Sequence, residues 1–273
     1  MNPLVSATWL LEHISNPNLR VVDTRFWLGQ PSAGFEAYTT GHIEGAVFLD
    51  LETDLSSPKH PNGTGGRHPL PDPKTLAAKL SNLGIGSEHL VVAYDDPSTG
   101  QGFYAAHLWW LLRYLGHDQV QVLDGGLPAW SGKLETSRPT HPKAVFTPRI
   151  RPEMLVSADQ VAARESSTVL IDARAPERFR GEIEPLDKKA GHIPEAINLP
   201  WASALEHGFW KDSAAQAQRF NLENTEQIML YCGSGVSACA NALSLEIAGI
   251  QGAKLYAGSW SDWVSDDSRP VKR

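Results

Sequence analysis

The chain repeats itself once, and this constrains its fold more than any other feature. Val5-Ser6-Ala7 returns as Val156-Ser157-Ala158, and Val21-Val22-Asp23-Thr24-Arg25 returns as Leu170-Ile171-Asp172-Ala173-Arg174. Gly41-His42-Ile43 returns as Gly191-His192-Ile193, and Val91-Val92-Ala93-Tyr94 as Ile228-Met229-Leu230-Tyr231; Gly125 to Trp130 matches Gly258 to Trp263. The separation is nearly constant over the first three pairs and shorter in the last two, so the second copy has a shortened loop. Solenoid repeats have periods of roughly 20–50 residues; this one is domain-sized and predicts two like domains.

Within each copy, short β-branched runs alternate with stretches of helical period. Arg20–Arg25, Leu90–Asp95 and Val120–Leu123 read as buried strands in the first copy, and Val169–Arg174, Ile228–Cys232 and Lys254–Ala257 in the second. Ser6 and Ser157 are placed to cap helices with their hydroxyls. Leu76, Leu80 and Leu83 share a helix face, and Val236, Ala240, Leu243, Ile247 and Ile250 share another. Strand–helix alternation predicts an α/β fold, each domain a mostly parallel sheet flanked by helices. The proline-rich stretch Thr136–Pro152 has no helical period and reads as an extended connector. The expected division is 1–137, a 138–152 linker, and 153–273.

Composition removes several functional classes. Formal charge is −7 over 273 residues, which disfavours nucleic acid and anionic membranes as partners. No apolar run approaches the roughly 20 residues of a membrane span, and Met1 to Arg20 lacks the pattern of a secretory signal. A cytoplasmic protein is expected, and nothing asks for more than a monomer. Two cysteines, Cys232 and Cys239, support neither a disulfide framework nor a cysteine-rich metal site.

The chemistry is concentrated after the strand that ends at Cys232. Gly233-Ser234-Gly235-Val236-Ser237 leads from it into a helix. Two glycines permit a sharp turn whose successive N–H groups face one hollow, and such a nest, with the helix dipole, stabilises an anion. The nearest candidate is the Cys232 thiolate. A buried structural cysteine is the plain alternative. Cys239, inside the next helix, reads as core.

A tandem of such units, with Gly-His-Ile-Pro in the second and a Cys-Gly-Ser-Gly-Val loop before a helix, resembles the rhodanese-type sulfurtransferases over essentially the whole chain. The loop is similar to that of the 3-mercaptopyruvate branch, with Ser237 where that branch carries threonine. The resemblance implies two rhodanese-like domains with catalysis in the C-terminal one. Asp95, at the position of Cys232, cannot carry sulfane sulfur. It implies a Cys232 persulfide formed from a small-molecule donor, 3-mercaptopyruvate, and discharged to a thiophilic acceptor, namely cyanide, a thiol or thioredoxin, with no metal or organic cofactor.

The resemblance also implies a histidine and an acid from the first copy acting with Ser234. His68, before Pro69-Leu70-Pro71, matches the histidine, with His60 a weaker candidate; on its residues alone His68 would read as a solvated loop side chain. Glu52 matches the acid, Asp50 being the nearby alternative. Arg178 matches the donor-carboxylate arginine, and Gly233, Gly235, Val236 and Ser237 complete the donor-binding loop. The second anchoring arginine expected before Gly191 is missing from Arg180 to Lys189, leaving Lys188 as the expected substitute beside Lys189 and Arg180. As a bare pattern those lysines read as a solvated face. Arg25 and Arg174 read as partners of structural carboxylates, and His42 and His192, present in both copies, as fold residues.

Three other readings stand beside this one. Thiosulfate could replace 3-mercaptopyruvate as donor, although Gly233, Ser234 and Gly235 offer a dianion no cation. A cysteine phosphatase needs an arginine where Ala238 stands. A non-catalytic sulfur carrier fits two unequal domains but not an intact Cys232 loop.

Overall fold

A computed structural model describes residues 2–99, 102–222 and 227–273. The chain divides into two compact units: residues 1–57, 71–151 and 207–210 form the first, and 58–70, 152–206 and 211–273 the second. This departs from the expected single cut. The 58–70 segment, expected in the N-terminal domain, belongs to the second unit, and His207–Trp210 packs with the first, where the Trp210 N–H donates to Asp124 Oδ1 at 2.9 Å. The expected linker lies within the first unit up to Arg151 and has no regular element there beyond position 135.

The first unit holds five parallel strands: β1 (Leu4–Val5), β2 (Leu19–Asp23), β3 (Val47–Phe48), β4 (Leu90–Tyr94) and β5 (Val120–Leu123), in the order β1-β5-β4-β2-β3. Helices α1 (Ala7–His13), α2 (Ala33–Thr40), α3 (Pro73–Asn82) and α4 (Tyr104–Tyr114) connect them. The second unit holds β6 (Thr168–Asp172), β7 (Ile197–Asn198), β8 (Gln227–Tyr231) and β9 (Lys254–Leu255), again parallel, in the order β9-β8-β6-β7. Its helices include α5 (Ala158–Ala162), α6 (Pro176–Phe179), α7 (Ser213–Phe220), α8 (Ala238–Ile247) and α9 (Ser259–Trp263).

The repeat in sequence is a repeat in register. Asp23 pairs with Tyr94 across β2 and β4, and Asp172 with Tyr231 across β6 and β8. Val5, Val21, Ile43, Val92 and Tyr94 lie in the first core; Val156, Leu170, Ile193, Met229 and Tyr231, their sequence counterparts, lie in the second. Each such aliphatic side chain contributes roughly 1.5–3 kcal/mol through burial.

Ser6 Oγ accepts the Trp9 N–H at 3.1 Å, and Ser157 forms a capping box with Gln160, so both predicted caps form. Arg25 grips Asp23, and Arg174 grips Asp172, through fork-like contacts of 2.6–3.1 Å. His42 and His192 direct Nδ1 to the carbonyls of Tyr38 and Phe179, at 2.7 and 2.8 Å, and stack on those same rings. These groups are frame in both units. No helix among the described residues is long and apolar enough to cross a membrane.

Candidate active site

Hydrogen bonds from a second turn hold the end of β8. The Cys232 N–H donates to Ser259 Oγ at 3.0 Å; the Trp260 and Ser261 N–H groups donate to the carbonyls of Cys232 and Gly233, each at 3.0 Å. The turn that opens α9 therefore runs along the cysteine loop and fixes its path. Gly235 is required at its position: φ is +83°, and a methyl group there would stand 2.2 Å from the Ala257 carbonyl oxygen. Helix α8 begins only at Ala238, so Val236, expected on the helix, lies in the loop, with Ser237 at the N-cap position.

The main-chain polarity follows from that path. Among the described residues, the N–H groups of Gly233, Ser234, Gly235, Val236 and Ser237 find no protein acceptor. Unsatisfied amides ahead of a helix start favour negative charge between them. Cys232 is 2% exposed, so an anion formed there is largely withdrawn from water. Cys239 behaves oppositely: its thiol donates to the Gly235 carbonyl at 3.3 Å, and burial pushes its pKa well up. It is core.

The 58–70 segment meets this loop. The Gly65 N–H donates to Asp262 Oδ1 at 2.7 Å and the Arg67 N–H to Ser261 Oγ at 3.0 Å, so α9 fixes this segment as well. Between them Gly66 has φ +80°, and a methyl group on it would stand 2.4 Å from the Gly258 carbonyl oxygen. The next residues are thereby held in place. His68, buried, brings Nδ1 to within 2.8 Å of Ser234 Oγ, and Ser234 is buried too.

Arginines approach the loop from two segments. A methyl group built on Gly233 would lie 2.8 Å from Arg67 Nη2 and 3.4 Å from Arg178 Nη1. Asp187 bonds both side chains, pairing with Arg67 Nη1 through Oδ1 and standing 3.3 Å from Arg178 Nη2 through Oδ2; Glu184 Oε1 takes Arg178 Nη2 at 2.7 Å. Burial raises the Asp187 pKa, with Arg67 and Arg178 pulling the other way. With Arg174, bound to both Asp172 and Glu184, the cluster has three guanidinium groups and three carboxylates.

Cys232, Gly233, Ser234, Gly235, Val236, Ser237, His68 and Arg178 are thus brought to one place. Lys188 is engaged elsewhere: its Nζ stands 3.0 Å from Asp267 Oδ1 and 3.3 Å from the Ser265 carbonyl, with its side chain 48% exposed. Glu52 belongs to the first unit, where its N–H donates to Asp50 Oδ1 at 2.8 Å. Sequence reasoning missed Arg67, Asp187 and Glu184. The signal was there: Gly63-Thr64-Gly65-Gly66 before Arg67-His68 marks a chain bent tightly to deliver two polar side chains.

A rhodanese-like domain matches residues 6–133 and again 157–266. A Pseudomonas aeruginosa protein named "Probable 3-mercaptopyruvate sulfurtransferase" is 42% identical, spanning 98% of this chain and 97% of its own length. Rat thiosulfate sulfurtransferase (Rattus norvegicus) is 33% identical over 95% of this chain and 91% of its own. The crystal structure of SseA from Escherichia coli, described with the rhodanese fold of 3-mercaptopyruvate sulfotransferases, superposes with a TM-score of 0.84 at 34% identity, covering 95% of this chain and 99% of that one. Two like parallel-sheet domains, a loop cysteine in the second and relatives matched over nine-tenths or more of their length lead to one conclusion: the chain belongs to the rhodanese family and is a sulfurtransferase.

Proposed function

We propose that the protein moves sulfur from 3-mercaptopyruvate to a thiophilic acceptor through a persulfide on Cys232. The observation that carries this is the 2.8 Å hydrogen bond between His68 Nδ1 and Ser234 Oγ, two residues from the cysteine. Attack of the Cys232 thiolate on the donor sulfur forms an S–S bond and breaks the C–S bond, whose electron pair departs on carbon as the enolate of pyruvate. That carbon needs a proton, and a hydroxyl hydrogen-bonded to an imidazole would supply one. Thiosulfate would release sulfite, a stable anion that needs none. The acid pair therefore favours the thiol donor.

Electrostatics supports the same choice. The arginines beside Gly233 are matched by Asp172, Glu184 and Asp187, and the cysteine loop has no cation. A monocarboxylate suits such a balanced cluster better than a dianion. Relatives named for 3-mercaptopyruvate lend weight to the reading. Persulfide anion at Cys232 would lie among the unsatisfied loop amides until cyanide, a small thiol or thioredoxin attacks its outer sulfur and releases the thiolate. The residues of one chain suffice. Glu52 enters through the family resemblance alone, as that family's acid; Glu52→Gln should lower kcat with 3-mercaptopyruvate, and an unchanged kcat would remove it from the site.

Steady-state kinetics on both donors tests the proposal. We expect kcat/KM at least about tenfold higher with 3-mercaptopyruvate than with thiosulfate, and no turnover of either by Cys232→Ser. A preference for thiosulfate would overturn the donor assignment, and activity in Cys232→Ser would overturn the mechanism.

A further inference from the structure

We propose that Ser259 is a positioning residue for the nucleophile: its hydroxyl bridges the end of β8 to the chain leaving β9 and so fixes the main chain at Cys232, where the loop amides begin. The inference rests on the reading of Cys232 as the nucleophile and holds whichever donor is used.

The bridge replaces a rung of the sheet. β8 and β9 pair in parallel through Met229 with Lys254 and Leu230 with Leu255, and the Tyr256 N–H donates to the Leu230 carbonyl at 2.9 Å. In a regular parallel ladder the next N–H of this edge, that of Cys232, would donate to the Tyr256 carbonyl. The Ser259 hydroxyl stands between them instead, accepting from the Cys232 N–H at 3.0 Å and donating to the Tyr256 carbonyl at 2.9 Å. The two chains therefore part by the width of one hydroxyl at the residue that carries the sulfur. Without that oxygen the buried Cys232 N–H would be left unpaired, or Cys232 would close on Tyr256 by roughly 1–2 Å.

Backbone strain marks the same position. Among the described residues, four other than glycine have positive φ; Glu195, His207 and Asn221 are exposed, and Ser259, at +54°, is fully buried. A side chain is held in that conformation only against strain, and glycine would avoid it. The first unit does so. Gly126, the counterpart of Ser259, has φ +57°, and a methyl group there would stand 2.5 Å from the Asp95 carbonyl oxygen. The next contact is shared, since the Leu127 N–H donates to the Asp95 carbonyl at 2.9 Å as the Trp260 N–H does to that of Cys232 at 3.0 Å. The turn thus closes on its strand with glycine in the unit that lacks the cysteine. The strained serine is in the unit that has it, and what its side chain holds is the cysteine's own N–H.

Ser259→Gly and Ser259→Ala separate positioning from folding. Both lose the hydroxyl and only glycine relieves the strain, so the glycine variant should unfold about 2–5 °C above the alanine variant. In both we expect kcat to fall roughly ten- to hundredfold with 3-mercaptopyruvate and with thiosulfate alike, KM for each staying within about threefold. Alkylation of Cys232 by iodoacetamide, followed by peptide mass, should slow about tenfold or more in the same variants. A glycine variant that folds with wild-type kcat and alkylation rate would overturn the inference, as would a loss confined to one donor. A glycine variant no more stable than the alanine one, or one that does not fold, would also overturn it, by placing the hydroxyl in the fold alone. Turnover by Cys232→Ser would instead remove the nucleophile reading and this inference with it.

Discussion

Ser234 is assigned a different task from Cys232, two residues away, and donor choice separates the two. On the proposed mechanism Cys232 is needed whatever donor is used, and Ser234 and His68 only when the leaving group must be protonated. Ser234→Ala should therefore lower kcat with 3-mercaptopyruvate by about a hundredfold and leave the slower thiosulfate reaction within a few-fold of wild type. Pyruvate and thiocyanate release from the same preparation would check it; equal losses with both donors would place the hydroxyl in the general architecture of the loop. At this scale the sequence was legible where chemistry and backbone coincide. Cys232 follows a strand and precedes two glycines, and that pattern has few meanings. Arg67 was not legible, because its place beside Gly233 goes with a contact to Asp187, 120 positions away. Lys188 was the expected substitute because it is close in sequence, and its Nζ is engaged by Asp267 and the Ser265 carbonyl instead.

The two strand–turn–helix elements show how one frame has taken opposite uses. At the end of β8 the loop amides stay open around Cys232. At the end of β4 the carboxylate of Asp95 closes the corresponding position, Oδ2 accepting the N–H groups of Tyr104 and Ala105 at the start of α4 at 2.8 and 3.0 Å. Complete burial raises the Asp95 pKa to about 7, with those two amides opposing the rise. The folded state thus retains a proton that the unfolded chain loses near pH 4. Its contribution to stability is whole below about pH 4, declines as pH rises, and is gone above about pH 7. Asp95→Asn, which keeps an acceptor and cannot ionise, should lose less stability than wild type between pH 5 and pH 8, by roughly 2–4 kcal/mol. Thermal unfolding at the two pH values would show it; a wild-type-to-variant gap equal at both would contradict it. Strands β2, β4, β5, β6, β8 and β9 were legible to within about two residues as β-branched runs, whereas the two-residue strands β1, β3 and β7 are too short to give such a pattern and were not. The start of α8 was not, because Val236 fits a helical period while the positive φ of Gly235 keeps the chain in a loop.

Across the whole molecule, duplication has preserved the frame and not the chemistry. The Asp–Arg fork, the strand-end tyrosine and the stacked histidine occur in both units; the cysteine loop occurs in one. The internal repeat makes that frame readable in the sequence. It could not show that 58–70 belongs with the second unit, because sequence neighbours say nothing about partners; the glycines that let Gly65 and Arg67 bond to α9 were the one local hint. The central claim is that sulfur passes through Cys232 as a persulfide. Peptide mass spectrometry after one equivalent of 3-mercaptopyruvate tests it most directly. One added sulfur atom is expected on the Cys232 peptide and none on the Cys239 peptide, with the added atom lost when cyanide is supplied. An unmodified Cys232 in an enzyme that has released pyruvate would contradict it.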